Sequence, residues 1–407
     1  MSIDAAIVAM GCILPQGEGP EALDRVLAGH GVAAAWPDNS RYTVGAVPPG
    51  LVPSRPGEDR AATLALCAAE QALGRPHNGG TGGPSLAEVL LSLVPPQRCA
   101  TVFTISKGGL DLLRREVLPG TPSCAIGEEW FAEIDPASAA RAIARRFGLR
   151  GPMLATAAAC ASGGYAMAAG RAMILEGRAD VVVCGAADAS LQPLVLASYA
   201  RLGLLPPCDA DHRQRGKPFS EDRCGFYVGE GAACFVMVTK SLADQLRLPV
   251  MASLCAAATG SAAFSLMAMP TDGEALSHVA ATALNRAELD ASQLDMIAVH
   301  GTATRDGDLN EARALGRLFA PRGCNVPIMV TKDIHGHLLG AACAVETAVA
   351  IRAMVTGHYP PSIGDVRVTP GGEIECVRRG GERGAIRRVL KMSAGFGGHL
   401  CALVLAR

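Results

Sequence analysis

Residues 155–164 read Ala-Thr-Ala-Ala-Ala-Cys-Ala-Ser-Gly-Gly, a run in which no side chain is bulky and one, Cys160, is a thiol. The apolar residues leading into it predict a short buried strand over 153–157, and the spacing after it predicts a helix over 161–176. Small residues at such a junction let neighbouring backbone approach closely. A thiol at the start of a helix also faces unpaired backbone N–H groups and the positive end of the helix dipole, which favours thiolate over thiol. Taken alone, a cysteine in an alanine-rich stretch is more often a small buried apolar residue. Its meaning therefore depends on what the rest of the chain brings to it.

The surrounding sequence alternates short apolar runs with longer amphipathic ones. Strands are predicted over 5–10, 101–104, 153–157 and 180–185, and helices over 20–28, 61–73, 137–147 and 161–176. The second half repeats the alternation, with strands over 296–300, 328–331, 389–393 and 401–405 and helices over 310–319 and 338–355. Such alternation predicts an α/β protein with mainly buried strands. Residues 36–60 read as a loose Pro- and Gly-rich stretch, and 75–84 as a flexible turn or loop without the Lys-Ser/Thr of a phosphate loop. The helix after Cys160 ends Arg171-Ala-Met-Ile-Leu-Glu-Gly177 and a later one ends Arg352-Ala-Met-Val-Thr-Gly357, the trace a duplicated two-lobe chain would leave. The break is placed near 240–248, giving halves 1–245 and 246–407.

A formal net charge of −1 over 407 residues argues against general affinity for nucleic acid or an anionic membrane. The fourteen cysteines are scattered through apolar stretches, with no C-x-x-C pair, so most are expected to be reduced and buried. With no basic n-region before an extended apolar stretch, and no span of about 18 apolar residues free of charges or breakers, a soluble cytoplasmic chain is expected.

Two further segments supply groups that a thiol nucleophile needs: Val299-His-Gly-Thr-Ala-Thr304, with His300, and Thr331-Lys-Asp-Ile-His-Gly-His-Leu-Leu-Gly-Ala-Ala342, with His337. Together the three point to acyl-thioester chemistry. With Arg215-Gly-Lys-Pro-Phe-Ser-Glu-Asp-Arg-Cys-Gly-Phe-Tyr-Val-Gly-Glu-Gly-Ala232, Asp308-Leu-Asn-Glu311, Lys332, Glu346 and Gly395-Phe-Gly-Gly398 added, the chain resembles the β-ketoacyl-acyl-carrier-protein synthases of the thiolase superfamily, in the elongating branch with a Cys-His-His triad. The resemblance runs from about residue 105 to the C-terminus and more weakly over the first forty residues.

That resemblance implies a five-layer αβαβα thiolase-like fold with two pseudo-duplicated halves. It implies decarboxylative condensation of an acyl group on Cys160 with a malonyl thioester carried by an acyl carrier protein, within a fatty acid or polyketide pathway. Cys160 would be the nucleophile, and the Cys160 and Phe396 amides the oxyanion donors. His300 and His337 would stabilise the enolate, and Lys332 and Glu346 would tune the histidines. Thr302 and Thr304 would hold the phosphopantetheine arm, which arrives on the carrier, and Phe396 would act as a gate swinging between Gly395, Gly397 and Gly398. No tightly bound cofactor or metal is implied. A homodimer paired through the strand over 151–159 is expected, with a heterodimer with a second ketosynthase-like subunit as the alternative.

Three positions depart from the family pattern. Lys107, in Ile105-Ser-Lys-Gly-Gly-Leu110, stands where an apolar residue sets acyl-pocket depth, so a shortened or polarised pocket is expected. His335 and His399 replace smaller residues, and His335 with His337 forms an H-x-H pair, a weak metal signal without a further ligand at convincing spacing. Arg55, Arg60, Arg114, Arg115 and Arg201 are read as a basic rim for an acidic carrier protein. Two other functions stay open: a chain-length-factor-like, non-condensing partner, and a cysteine-dependent acyltransferase or thioesterase.

Overall fold

The computed structural model describes residues 5–36, 39–53, 58–74, 83–117, 129–206, 216–319, 326–360, 366–368, 374–376 and 383–407. Ten strands lie on one continuous hydrogen-bonded path, which divides into two sets of five. The first set is β1 (Ala5–Leu14), β2 (Cys99–Ile105), β3 (Met153–Leu154), β4 (Val181–Asp188) and β5 (Gly231–Thr239). The second is β6 (Ala252–Ser261), β7 (Met296–Ala298), β8 (Ile328–Met329), β9 (Arg388–Gly395) and β10 (His399–Ala406).

The two sets have the same topology. From the centre outward the first runs β1, β5, β4, β2, β3, with two antiparallel and then two parallel pairings. The second runs β6, β10, β9, β7, β8 with the same sequence of pairings. They join where β1 meets β6, through Ala5 with Leu254, Ala6 with Ser253 and Ile7 with Ala252. The predicted pair of sheets is thus continuous at one corner.

Helices complete five layers. α1 (Arg60–Leu73) and α2 (Ser138–Phe147) cover the outer face of the first set, and α4 (Glu274–Arg286) and α5 (Arg305–Phe319) that of the second. Between the sets lie α3 (Ser162–Leu175) and α6 (Ala342–Thr356), which touch strands of both. Layers covered on both sides explain why β4 is buried at every position and reads as a continuous apolar run rather than an alternating one. The stretch Leu339–Thr356 is long and apolar enough to cross a membrane, but 83% of it is buried inside the protein, as a central helix requires.

The duplication extends to the turns that start the central helices. Each opens with a single 3-10 turn, Ala159–Ala161 before α3 and Leu339–Ala341 before α6. Each turn begins with a non-glycine residue in the left-handed region, Ala159 at φ 47° and Leu339 at φ 45°. L-residues rarely adopt that conformation, and surrounding structure must hold it. The central helices also pack closely: a Cβ on Gly163 would lie 2.7 Å from Ala344, and one on Gly164 would lie 2.7 Å from the Cys401 sulfur.

Several sequence expectations need correction. The strand over 153–157 ends at Leu154, because residues 155–158 leave the sheet to set up the turn at Ala159. β1 runs through Gly11 to Leu14 instead of ending at Met10. The loose stretch 36–60 contains the strand Asn39–Gly45, which pairs with Ala34–Trp36 and Val228–Gly229. Most of the loop read at 75–84 lies outside the described residues.

Candidate active site

Cys160 occupies the middle of the 3-10 turn that opens α3, and the turn is tied by Ser162. The Ser162 hydroxyl donates to the Ala159 carbonyl at 2.7 Å and accepts from the Ala158 amide at 2.9 Å. His337 comes from the equivalent junction of the second half, just before the turn at Leu339, and its Nε2 lies 3.1 Å from the Cys160 sulfur. His300 follows β7, with its ring centre 5.4 Å from that of His337. The three residues are 9%, 9% and 1% exposed for Cys160, His300 and His337. One donor atom from each falls within 4.8 Å of the others.

Burial decides the protonation of all three. It pushes the Cys160 thiol up to about 11, with Lys107 and Lys332 opposing it more weakly. The thiolate expected from the helix start is therefore not the resting form: the resting group is a thiol beside a neutral imidazole. Burial, followed by the nearby Lys332 charge, holds His300 and His337 well below the ordinary histidine range. The Lys332 ammonium lies 3.3 Å from His300 Nδ1 and can only donate there, which leaves the His300 proton on Nε2. His337 Nδ1 has no hydrogen-bond partner among the described residues, and its ring stands nearly perpendicular to that of Phe226 with ring centres 4.7 Å apart.

Behind the imidazoles lies a buried charge network. Lys332 bonds to Glu346 and to the His300 carbonyl. The other Glu346 oxygen lies 2.7 Å from Lys391, a fully buried lysine of β9. Glu311 of α5 accepts the backbone amides of His300 and Gly301, and Asp308 accepts those of Phe219 and Ala303. Sequence reasoning gave Lys391 no role, although a lysine within the apolar run of β9 was the available signal. Glu311 and Asp308 were noted only as part of a motif.

A cavity of about 440 Å³ reaches the thiol. Its walls include Cys160, His300, His337, Thr302, Thr304, Gly395 and Phe396. The Thr302 and Thr304 hydroxyls are 2.9 Å apart, and Phe396 faces Tyr199 with ring centres 6.3 Å apart. Gly395 presses on the cysteine turn: a Cβ there would lie 2.8 Å from the Ala158 carbonyl and 3.0 Å from the Cys160 amide. Gly397 and Gly398 both have φ 81°, and the Gly397 amide bonds to the Leu266 carbonyl. Neither lines the cavity.

Other predicted residues lie elsewhere. Lys107 is outside the cavity wall, in a polar nest with Asp188 at 3.1 Å, Ser190 at 3.0 Å and Ser106 at 3.1 Å, beside a separate void of about 10 Å³. His335 is fully buried and uses both ring nitrogens, donating from Nδ1 to the Gly336 carbonyl and accepting at Nε2 from the Thr331 hydroxyl. Burial pushes its pKa down to about 4. His399 packs against the edge of Tyr165. Three of the five arginines read as a rim are described. Arg60 turns onto Glu230 and Arg114 lies 3.6 Å from Asp111, while Arg201 is exposed. Arg55 and the Arg115 side chain lie outside the described residues.

With this geometry in view, the chain was compared with known proteins. The β-ketoacyl synthase N-terminal domain model matches residues 109–243, and the C-terminal domain model residues 251–364. The tetracenomycin polyketide synthase ketoacyl synthase alpha subunit of Streptomyces glaucescens is 33% identical over 280 residues, 69% of this chain and 66% of the relative. The chain thus spans just under two thirds of that relative's length. A solved type II polyketide acyl-carrier protein in complex with its ketosynthase, bound to the hexaketide, has a TM-score of 0.86 at 24% identity, covering 100% of this chain and 99% of that one. The ishigamide ketosynthase/chain length factor has a TM-score of 0.82 at 25% identity, with coverages of 100% and 99%.

Proposed function

The chain belongs to the β-ketoacyl synthase family, and we propose that it is a condensing member that joins an acyl group held on Cys160 to the two-carbon unit of malonyl-acyl-carrier protein. The observation that carries this reading is the 3.1 Å approach of His337 Nε2 to the Cys160 sulfur at the cavity floor, with His300 alongside.

In the first half-reaction the Cys160 sulfur attacks the acyl thioester as His337 takes the thiol proton. The tetrahedral oxyanion rests on the Cys160 and Phe396 amides. Removing one such donor typically slows acyl transfer by about 10²–10³. Collapse releases the carrier thiol, which takes its proton back from His337.

In the second, the malonyl carboxylate leaves as CO₂ and the bonding pair becomes an enolate. His300 Nε2–H, and His337 in the tautomer that carries its proton on Nε2, donate hydrogen bonds to the enolate oxygen without protonating carbon. The carbon then attacks acyl-Cys160, and the sulfur leaves as thiolate and takes up one proton from solvent water. Neutral imidazoles suit this task, and their depressed pKa values favour it. Thr302 and Thr304 hold the phosphopantetheine arm, which belongs to the carrier substrate, and Phe396 gates its entry. Residues 1–245 and 246–407 act as the two halves, one bringing the nucleophile and the other both histidines. The protein acts in the cytoplasm, in a polyketide-like pathway, and pairs with itself or with a chain-length-factor-like subunit.

A non-condensing partner has no use for a nucleophile beside two imidazoles, and two neutral imidazoles at one thiol favour condensation over the single histidine and base for water of a thioesterase. The test is intact-mass detection of acyl-Cys160 after exposure to acyl-carrier protein, followed by CO₂ release on addition of malonyl-carrier protein. Acylation without CO₂ release would favour the acyltransferase reading. No acylation would favour the partner reading.

A further inference from the structure

We propose that Lys391 is a positioning residue of this site: it fixes the far oxygen of Glu346 and supplies a second cation behind the imidazoles, so that the enolate forms in a positive field. The inference rests on the condensing reading above.

Lys391 stands on β9 in parallel register with Ala298 of β7, two residues before His300. Its side chain is completely buried. A buried ammonium is costly unless it is paired and hydrogen-bonded. Its Nζ meets Glu346 Oε2 at 2.7 Å, donates to the Met392 carbonyl, and reaches the carbonyl of Val299, the residue before His300, at 3.4 Å. Glu346 is already bonded through Oε1 to Lys332. One carboxylate therefore serves two ammonium groups, and Lys391 is more cation than neutralising Glu346 requires.

The titratable groups around Lys391 come from every neighbouring element: Glu346 and Cys343 from α6, Glu311 from α5, Cys401 from β10, and Lys332 and His335 from the segment before α6. Burial raises the Glu311 carboxyl, opposed by the His300 and Gly301 amides that donate to it and by Lys391 and Lys332, and its two oxygens are turned onto those amides. The surplus is felt at the site, since Lys391 lies among the charges that depress His300 and His337 after burial and Lys332. The chemistry has a use for it. When the bond to the malonyl carboxylate breaks, the electron pair moves toward the thioester oxygen. A fixed cation stabilises that charge at a distance and has no route for handing a proton to the carbon.

The experiment is Lys391→Met, with three readouts: acylation of Cys160 by intact mass, CO₂ release from malonyl-carrier protein, and His300 ionisation by NMR of ¹³C-labelled histidine, assigned with His300→Asn. Acylation should stay within about threefold, while decarboxylation falls about tenfold or more in kcat with little change in KM. The His300 titration should move up by about one pH unit, the order expected for a nearby charge in a medium of effective dielectric about 20. If Lys391→Met does not fold, Glu346→Gln is compared with Glu346→Gln/Lys391→Met, where loss of the charge should raise the titration in the same way. An unmoved titration, or equal loss of both half-reactions, overturns the proposal. A wild-type protein that releases no CO₂ refutes the condensing reading instead, while the titration still reports on Lys391.

Discussion

Replacing Glu346 with glutamine removes the single carboxylate between two fully buried ammonium groups. At 2.7 Å and an effective dielectric of about 20, the Lys391 pair alone has a gross attraction of about 6 kcal/mol. Desolvation cancels much of this, and breaking a buried pair from one side typically costs about 3–5 kcal/mol. Spread over the unfolding entropy of a 407-residue chain, that loss lowers Tm by about 4–6 °C. Calorimetry across pH separates this from a packing defect. Burial pushes the Glu346 carboxyl up, but Lys332 and Lys391 outweigh it and hold it below the ordinary carboxylate range. Its stabilisation is then complete above the ordinary value and is lost only as pH falls through the lower, folded value. The difference in Tm between wild type and Glu346→Gln should stay constant through neutral pH and narrow only in strong acid. Loosening Lys332 should also misalign His300 and slow decarboxylation by about 10²-fold. Equal melting at neutral pH, or a gap that closes between about pH 7 and 5, would refute the reasoning.

Three other outcomes follow from the same geometry. Because burial pushes the Cys160 thiol up to about 11, its alkylation by iodoacetamide should accelerate almost tenfold per pH unit from pH 7 to about 10, and a plateau below pH 8 would mean a resting thiolate. Gly395→Ala places a Cβ 2.8 Å from the Ala158 carbonyl and 3.0 Å from the Cys160 amide, so single-turnover acylation should fall by about 10²–10³. Gly164→Ala drives a methyl against the Cys401 and Cys343 sulfurs in the central layer, and urea denaturation should show a loss of about 1–3 kcal/mol.

The site was more legible than the sheet. Cys160, His300 and His337 are each ambiguous alone and become legible only as a set, through the segments that carry the family resemblance, and the structure brings the three side chains together. β5 and β6 were not predicted. Gly231–Thr239 is buried at almost every position and shows no alternation, and periodicity alone cannot tell such a run from a core helix. Asn39–Gly45 was missed because the prolines and glycines around it dominate its local pattern. The premature end of β3 depends on the left-handed Ala159, a conformation that no residue type in the run announces. Lys391 was hidden for an electrostatic reason: a lysine in sequence gives no sign that its partner is a carboxylate on a distant helix. The sequence reads Lys107 as shortening or polarising the acyl pocket; Asp188 draws it into a polar nest outside the cavity wall, from where its charge still acts on the Cys160 thiol.

The most direct test is to load the protein with acyl-carrier protein, add malonyl-carrier protein, and determine by mass spectrometry what remains on the carrier. A β-ketoacyl chain two carbons longer than the starting acyl group, absent with Cys160→Ala, is the result predicted for a thiol and two neutral imidazoles acting at one point. Free carboxylic acid with no extended carrier product would contradict it.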